Sequence, residues 1–356
     1  MSWPDTRLLD LFGVDLPIML APMANFAGLD MALAVAEAGA LAALPCAALN
    51  ADQIKEAVAK FRAQSSQPLN LNFFCHATPE QNVDKERAWL ARIAPYFQEL
   101  GVAPPSLPLA PGHPPFAEAA CGAIEDLKPE IVSFHFGLPQ SDLLARVKVT
   151  GCKVLSTATT LREAEFLEAE GVDVIIAQGA EAGGHRGMFL EADISTQVGT
   201  FALVRAISAR VRVPVIAAGG IADGRAIAAS FVLGASAAQI GTAYLVCLES
   251  TISPLHRKAL ADPARETAIT NVLTGRPARG IMNRFMREQG PMDDTAPDFP
   301  FARPAIATLR AKAEEQGSTD FSPLWSGQAA ILPQPMNAGA LTRRLAEAAR
   351  SSLTQA

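Results

Sequence analysis

The chain alternates short apolar runs with stretches of helical periodicity. Residues 17–23 (PIMLAPM) open the series, and 40–44, 69–74, 131–136, 153–156, 172–177, 213–218 and 237–240 continue it. Each run is almost wholly apolar and stops at Gly, Pro or a polar residue, as strands buried on both faces do. Helix signals lie between them. A helix is expected over 30–39, with Asp30 as N-cap and Gly39 as stop. Asp52 opens another, with Ile54, Val58 and Phe61 on one face. Others start at Ser141, at Thr160 (with Glu163 at capping-box spacing) and at Asp223. Eight strand–helix units favour an α/β fold, a closed (β/α)8 TIM barrel rather than an open sheet.

Two stretches break the alternation. Residues 75–116 hold one helical stretch, 83–98, and then a Pro-rich run, PPSLPLAPGHPP. A segment that long points to an excursion over one barrel face. Residues 250–335 are helical in places and rich in Arg, Pro and Met. Residues 337–352 (NAGALTRRLAEAARSS) can supply the eighth outer helix, which leaves 250–335 as an insertion. The expected organisation is a barrel of 1–74, 117–249 and 336–356, with a smaller, mainly helical substrate-capping domain from 75–116 and 250–335.

Composition narrows the partners. Hydrophobic residues make up 49% of the 356, enough for a sizeable core. With 30 Lys+Arg against 36 Asp+Glu the net charge is −6, which argues against nonspecific nucleic-acid binding. The longest apolar stretch, 34–49, is broken by Glu37, Gly39 and Pro45 and is too short to span a membrane. No signal-peptide pattern opens the chain. Five scattered cysteines with no CxxC pair read as reduced, buried packing residues, so a cytoplasmic location is expected. No two histidines have metal-ligand spacing, so no metal is expected. The sequence is compatible with a homo-oligomer and does not set the oligomeric state.

The candidate chemistry sits at glycine-rich strand ends. Gly219 and Gly220 follow the seventh strand, and Gln239-Ile240-Gly241-Thr242 ends the eighth. In this barrel those two loops commonly hold a phosphate, through backbone N–H groups that glycine lets come close. Gly219-Gly220 alone reads equally as a tight turn; the QIGT run one unit later favours phosphate. No GxGxxG follows the first strand, so a Rossmann site is not indicated. After the sixth strand, QGAEAGGHRG (178–187) brackets His185 with Gly183, Gly184 and Gly187. That histidine either reaches a ligand and titrates near neutral pH, or is an exposed loop residue with no role.

These segments carry a resemblance. QGAEAGGHRG together with APM, LNFFCH, AAGGI and QIGT resembles the nitronate monooxygenase family, formerly the 2-nitropropane dioxygenases, over about residues 10–330. The LNFFCH and EAGGHRG segments and LWSGQ (324–328) resemble its first class, the nitronate oxidisers. The resemblance implies a TIM barrel holding non-covalent FMN under a smaller domain. It places Pro22, Met23 and Ala24 along the isoalloxazine, and Asn72 and Gln178 at its polar edge. It places Gly183, Gly220, Gln239, Ile240, Gly241 and Thr242 around the ribityl phosphate, with Gly184 and Gly219 beside them. His185 matches the family's active-site histidine. The implied reaction oxidises a nitronate with FMN and O2 to a carbonyl product and nitrite. Propionate 3-nitronate is the natural candidate substrate, and detoxification the implied role.

A nitronate is an anion, so His185, with Arg186 beside it, is a candidate to stabilise its charge. For a neutral nitroalkane His185 is the candidate base. Residues 257–287 hold seven basic residues (Arg257, Lys258, Arg265, Arg276, Arg279, Arg284, Arg287) against Asp262 and Glu266. They read either as an approach for anions or as a solvated face. His76, His135 and Trp325 are candidates for pocket lining or for scaffold; His113 and His256 read as surface residues. Three rivals stay open. The APM, AAGG and QIGT loops are shared with FMN-dependent NAD(P)H reductases of quinones or enoyl thioesters. A non-catalytic phosphate-ligand barrel would carry the same glycines. A dehydrogenase of the inosinate type would want a loop cysteine, and Cys75, directly after a strand, lacks a glycine-rich setting.

Overall fold

The computed structural model describes residues 3–329 and 331–355. Eight parallel strands share one sheet: Ile18–Leu20, Ala42–Pro45, Leu69–Phe74, Ile131–His135, Lys153–Ala158, Val174–Gln178, Val215–Ala218 and Ala237–Ile240. Ile18 pairs with Ala238, and a bridge from Met19 to Leu41 joins the first strand to the second, so the sheet closes. The (β/α)8 barrel expected from eight apolar runs is the fold.

Strand alternation sorts the side chains. Ile18, Leu71, Val132, Ile175 and Ile240 join the helices in the main core. Met19, Leu41, Ile131, Leu155, Val174 and Ile216 pack together inside the barrel floor, with Leu8, Phe12 and Val14 below them. The helix Arg7–Phe12 thus plugs the N-terminal end, an element too short for the apolar pattern to show. Toward the C-terminal end the inward positions turn polar: Asn72, His135, Thr157, Gln178 and Gln239.

The helix Ala338–Gln355 packs on Gly224–Val232 and on Leu29–Glu37, supplying the eighth outer helix. Three helix details differ from expectation. Gly28, not Asp30, is the N-cap of Leu29–Glu37; Asp30 sits in the first turn, where its charge still favours the helix dipole. Asn50, not Asp52, caps Ala51–Arg62, in a reciprocal bond pair with Gln53. The expected helix over 83–98 splits into Val83–Arg92 and Ala94–Leu100, because Pro95 has no N–H to continue the ladder.

The two excursions share an apolar core. Trp89, Tyr96, Phe97 and Leu109 from the first pack with Val272, Phe285, Leu309 and Phe321 from the second. The second also forms a hairpin, Thr267–Thr270 with Ala278–Ile281, which the helical expectation did not include. Its runs are only four residues long, too short to show alternation. Gly184–His185, from the loop after the sixth barrel strand, joins it as a third antiparallel strand. Among the described residues no helix is long and apolar enough to cross a membrane.

The closing helix makes a tight contact at Gly224, where an added Cβ would lie 2.5 Å from the Ala348 Cβ. Gly224→Ala should therefore force the two helices apart and destabilise the fold by about 1–3 kcal/mol, as overpacking does. Denaturant unfolding measures this; an unchanged midpoint would show that the contact yields freely.

Candidate active site

A cavity of about 380 Å³ opens at the C-terminal end of the barrel, within the size range of cofactor and small-molecule sites. Pro22, Met23, Ala24, Asn72, Gln178, Gly183, Gly184, His185, Gly219, Gly220, Gln239, Gly241 and Thr242 all line it. Ile240 does not. Its side chain points outward into the helix layer, because it alternates with the inward Gln239. Its carbonyl accepts from Ala21 N at 2.9 Å, so its backbone serves the barrel wall.

One end of the cavity is built from close backbone. A Cβ on Gly183 would lie 2.5 Å from Gly327 N, and one on Gly219 (φ 119°) would lie 2.9 Å from Ala182 N. Gly327 N donates to Thr242 Oγ1 at 2.9 Å, which leaves the threonine hydroxyl proton for a ligand. Gln239 Oε1 is buried, with no protein partner among the described residues. Such an atom is costly unless something else satisfies it.

His185 stands beside this end. The rings of Phe74, Phe136, Phe299 and Trp325 surround it at centroid distances of 5.5 to 6.2 Å. Its Nε2 lies 3.0 Å from Thr274 Oγ1. Burial, reinforced by His135 and Arg276, pushes its pKa down to about 3. It is therefore neither an exposed loop residue nor a group titrating near neutral pH: it is a neutral imidazole held in an apolar shell.

Its backbone is held as firmly. The His185 carbonyl accepts from Gln178 Nε2 at 2.9 Å and from His135 Nε2 at 3.1 Å. Gly187 N donates to Gln178 Oε1 at 2.8 Å. Gln178 thus anchors the loop, keeping one amide N–H for the cavity. Thr157 Oγ1 lies 3.1 Å from His135 Nδ1, so that ring is bonded on both sides.

Arg186 does not reach the cavity, contrary to the expectation that it helps hold an anion. It is fully buried, donating to the Gly179 and Gln178 carbonyls and to Gln197 Oε1. The basic residues of 257–287 do not form one face either. Arg257 donates to the Val246 and Ser250 carbonyls, and Arg284 pairs with Glu99 and Glu288. Arg276 lies 4.0 Å above the Phe136 ring. Among the described residues, the arginines that line the cavity are Arg303 and Arg310, outside that segment.

His113 and His256 depart from expectation. His113 is half-buried in the cavity wall and takes a 2.8 Å hydrogen bond from Arg303 Nη1. His256 is buried, with its Nε2 3.1 Å from the Trp325 carbonyl. His113 sits in the Pro-rich run and His256 beside a basic pair, and both segments fold inward against distant chain. Trp325 and His135 line the cavity; His76 packs behind it, edge-on to Phe299 at 4.7 Å. Thr274, Phe299 and Arg303 gave no sequence signal, because an insertion lacks the strand-end pattern that marks barrel loops.

The model of the nitronate monooxygenase family matches residues 5–348. The chain belongs to the nitronate monooxygenase family. It is 42% identical to the nitronate monooxygenase of Paraburkholderia phytofirmans over 352 residues, covering 98% of this chain and 96% of that one. It is 40% identical to the nitronate monooxygenase of Pseudomonas aeruginosa over 348 residues, covering 97% and 99%. A solved nitroalkane oxidase from Streptomyces ansochromogenes superposes with a TM-score of 0.89 at 34% identity, covering 98% and 99%. FabK from Thermotoga maritima superposes at 0.73 with 24% identity, a likeness of fold alone. The family resemblance read from the motifs therefore holds over almost the whole chain and makes it an oxidoreductase relative.

Two buried histidines, His76 and His256, and two partly buried ones at the cavity, His135 and His185, set a pH dependence in this nitronate monooxygenase relative. Folded pKa values are about 3 for His135 and His185 and about 4 for His76 and His256, below the unfolded value of about 6.5. Between those limits the unfolded chain binds more protons. Stability is therefore complete above about pH 6.5 and falls as pH descends toward 4. The melting temperature should drop from pH 7 to pH 5 at constant ionic strength; a flat profile would show that these rings are not buried neutral.

Proposed function

We propose that this protein oxidises alkyl nitronates with O2, using FMN, to a carbonyl product and nitrite. The observation that carries the reading is one cavity that joins a glycine cradle to a neutral histidine in an aromatic shell. The residues fit FMN. Gly183, Gly219, Gly220, Gly241 and Thr242 line one end, where a Cβ on Gly183 or Gly219 would collide with backbone, an arrangement suited to the phosphate. The unsatisfied Gln239 Oε1, the second N–H of Gln178 and the amide of Asn72, anchored on Ser133 at 3.0 Å, suit a ring with polar edges. Pro22, Met23 and Ala24 offer it an apolar wall. When bound, FMN supplies the electron acceptor that no side chain here provides.

The protein's own residues handle charge and protons. A neutral His185 attracts an anion weakly, so that task falls to Arg303 and Arg310 at the cavity wall. Arg303 bonds neutral His113, and no carboxylate among the described residues pairs with it; Arg310 is partly balanced by Glu314 at 2.8 Å. Propionate 3-nitronate, with two negative charges, suits that pair. For a neutral nitroalkane His185 accepts the α-proton. We read the excursions 75–116 and 250–335 as one cap that shields these steps from water. The role is then removal of a toxic nitronate in the cytoplasm.

The purified protein should be yellow and release FMN on denaturation. Propionate 3-nitronate should elicit O2 uptake with nitrite release. A colourless protein, or a bound flavin bleached rapidly by NADH or NADPH but not by the nitronate, would overturn the reading. Gly183→Val, whose Cβ collides with the Gly327 backbone, should fold by circular dichroism yet lose most bound flavin; full flavin occupancy would remove Gly183 from the cradle.

A further inference from the structure

We propose that Thr274 is a positioning residue that fixes His185 with its proton on Nε2 and its bare Nδ1 lone pair open to the cavity. The proposal rests on the reading of His185 as the proton acceptor for neutral nitroalkanes. Hydrogen-bond counting assigns the tautomer. A hydroxyl has one proton to give. The Arg276 carbonyl, 3.2 Å from Thr274 Oγ1, can only accept, and no other hydrogen bond to it is present among the described residues, so the hydroxyl proton is assigned to it. Toward His185 Nε2, 3.0 Å away, the same oxygen can only accept, so Nε2 carries the ring proton. A neutral imidazole has one such proton, which leaves Nδ1 unprotonated. Among the described residues no group hydrogen-bonds Nδ1, and His185 lines the cavity.

The backbone bonds from Gln178 and His135 fix where His185 begins but not how its ring turns. Thr274 supplies the missing constraint. It is buried in the connection between the hairpin strands, 89 residues along the chain, and belongs to the excursion rather than the barrel. In the step it supports, the substrate's α C–H bond breaks and the proton passes to Nδ1. The electron pair moves into the carbon–nitrogen bond, placing the negative charge on the nitro oxygens. The ring becomes an imidazolium that donates from Nε2 to Thr274. The charged or titratable groups facing it are His135, Arg276, His113 and Arg303, of which the arginines oppose the new charge. The threonine oxygen is an acceptor against them, as the third group of a catalytic triad is.

Thr274→Val keeps the shape and removes the hydroxyl; Thr274→Ser keeps the hydroxyl. The valine variant should lose about tenfold or more of kcat/KM for a neutral nitroalkane, with kcat falling more than KM changes. Turnover of a preformed nitronate should fall much less, and serine should restore most of the loss. A second measurement is independent of turnover. In protein labelled with 15N-histidine, the His185 signals, assigned by their loss in His185→Asn, should show a protonated Nε2 and an unprotonated Nδ1. In Thr274→Val the two nitrogens should move toward exchange-averaged values. A protonated Nδ1 in the native protein, or unchanged nitroalkane kinetics in the valine variant, would sink the proposal. Absence of any nitronate oxidation by the native protein would instead sink the functional reading, and the nitrogen spectrum would still decide the tautomer. If the valine variant does not fold, the native spectrum and the serine variant carry the decision.

Discussion

The backbone of Gly184 and His185 pairs with Ala278 and Arg279 on one side, while the His185 carbonyl takes two hydrogen bonds from the barrel on the other. A glycine-rich loop left alone would sample many conformations. Here it is an edge strand clamped between two parts of the chain. The same ladder places Thr274 within reach of the histidine and sets Phe299 and Trp325 against its ring. Arg186 completes the clamp by satisfying carbonyls of Gln178 and Gly179 from behind. Burial lowers its pKa to about 10, yet it remains a cation with three acceptors. Its role is to hold the loop's shape, and no substrate charge is needed to explain it.

Electrostatics follow from that packing. The chain carries a net charge of −6, but the groups around His185 are histidines and arginines. Burial keeps the rings neutral, and the nearby guanidinium groups of Arg276 and Arg303 reinforce this. The cavity therefore presents guanidinium groups and a neutral imidazole side by side, which on the proposed function would serve an anion and a C–H acid respectively. Those two capacities usually conflict in one residue, since a histidine charged enough to attract an anion cannot accept a proton. Dividing them between Arg303 and His185 gives each residue one task, while the nearby guanidinium groups still oppose an imidazolium at His185.

The barrel was legible because its rules are local. An apolar run of four to six residues between glycines reads as a buried strand wherever it occurs, and eight of them close a barrel. The glycines at 183, 219, 220 and 241 were legible for the same reason, since strand ends are where this fold presents backbone to a ligand. Even the errors at Asp30, Asp52 and 83–98 were shifts of a helix end or a break at a proline, not of topology.

What the sequence by itself determined is therefore the barrel, the end at which its cavity opens and the family to which the chain belongs. The tertiary structure decided the surroundings of each candidate residue. Arg186 looked available and is buried; His113 and His256 looked exposed and are enclosed; Thr274 looked like nothing and touches the histidine. Strand and turn preferences act over a few residues, so a short window reveals them. Burial, tautomer and charge depend on which distant segments arrive beside a side chain, and His185 and Thr274 meet across 89 residues only because the barrel loop and the inserted hairpin share one small sheet.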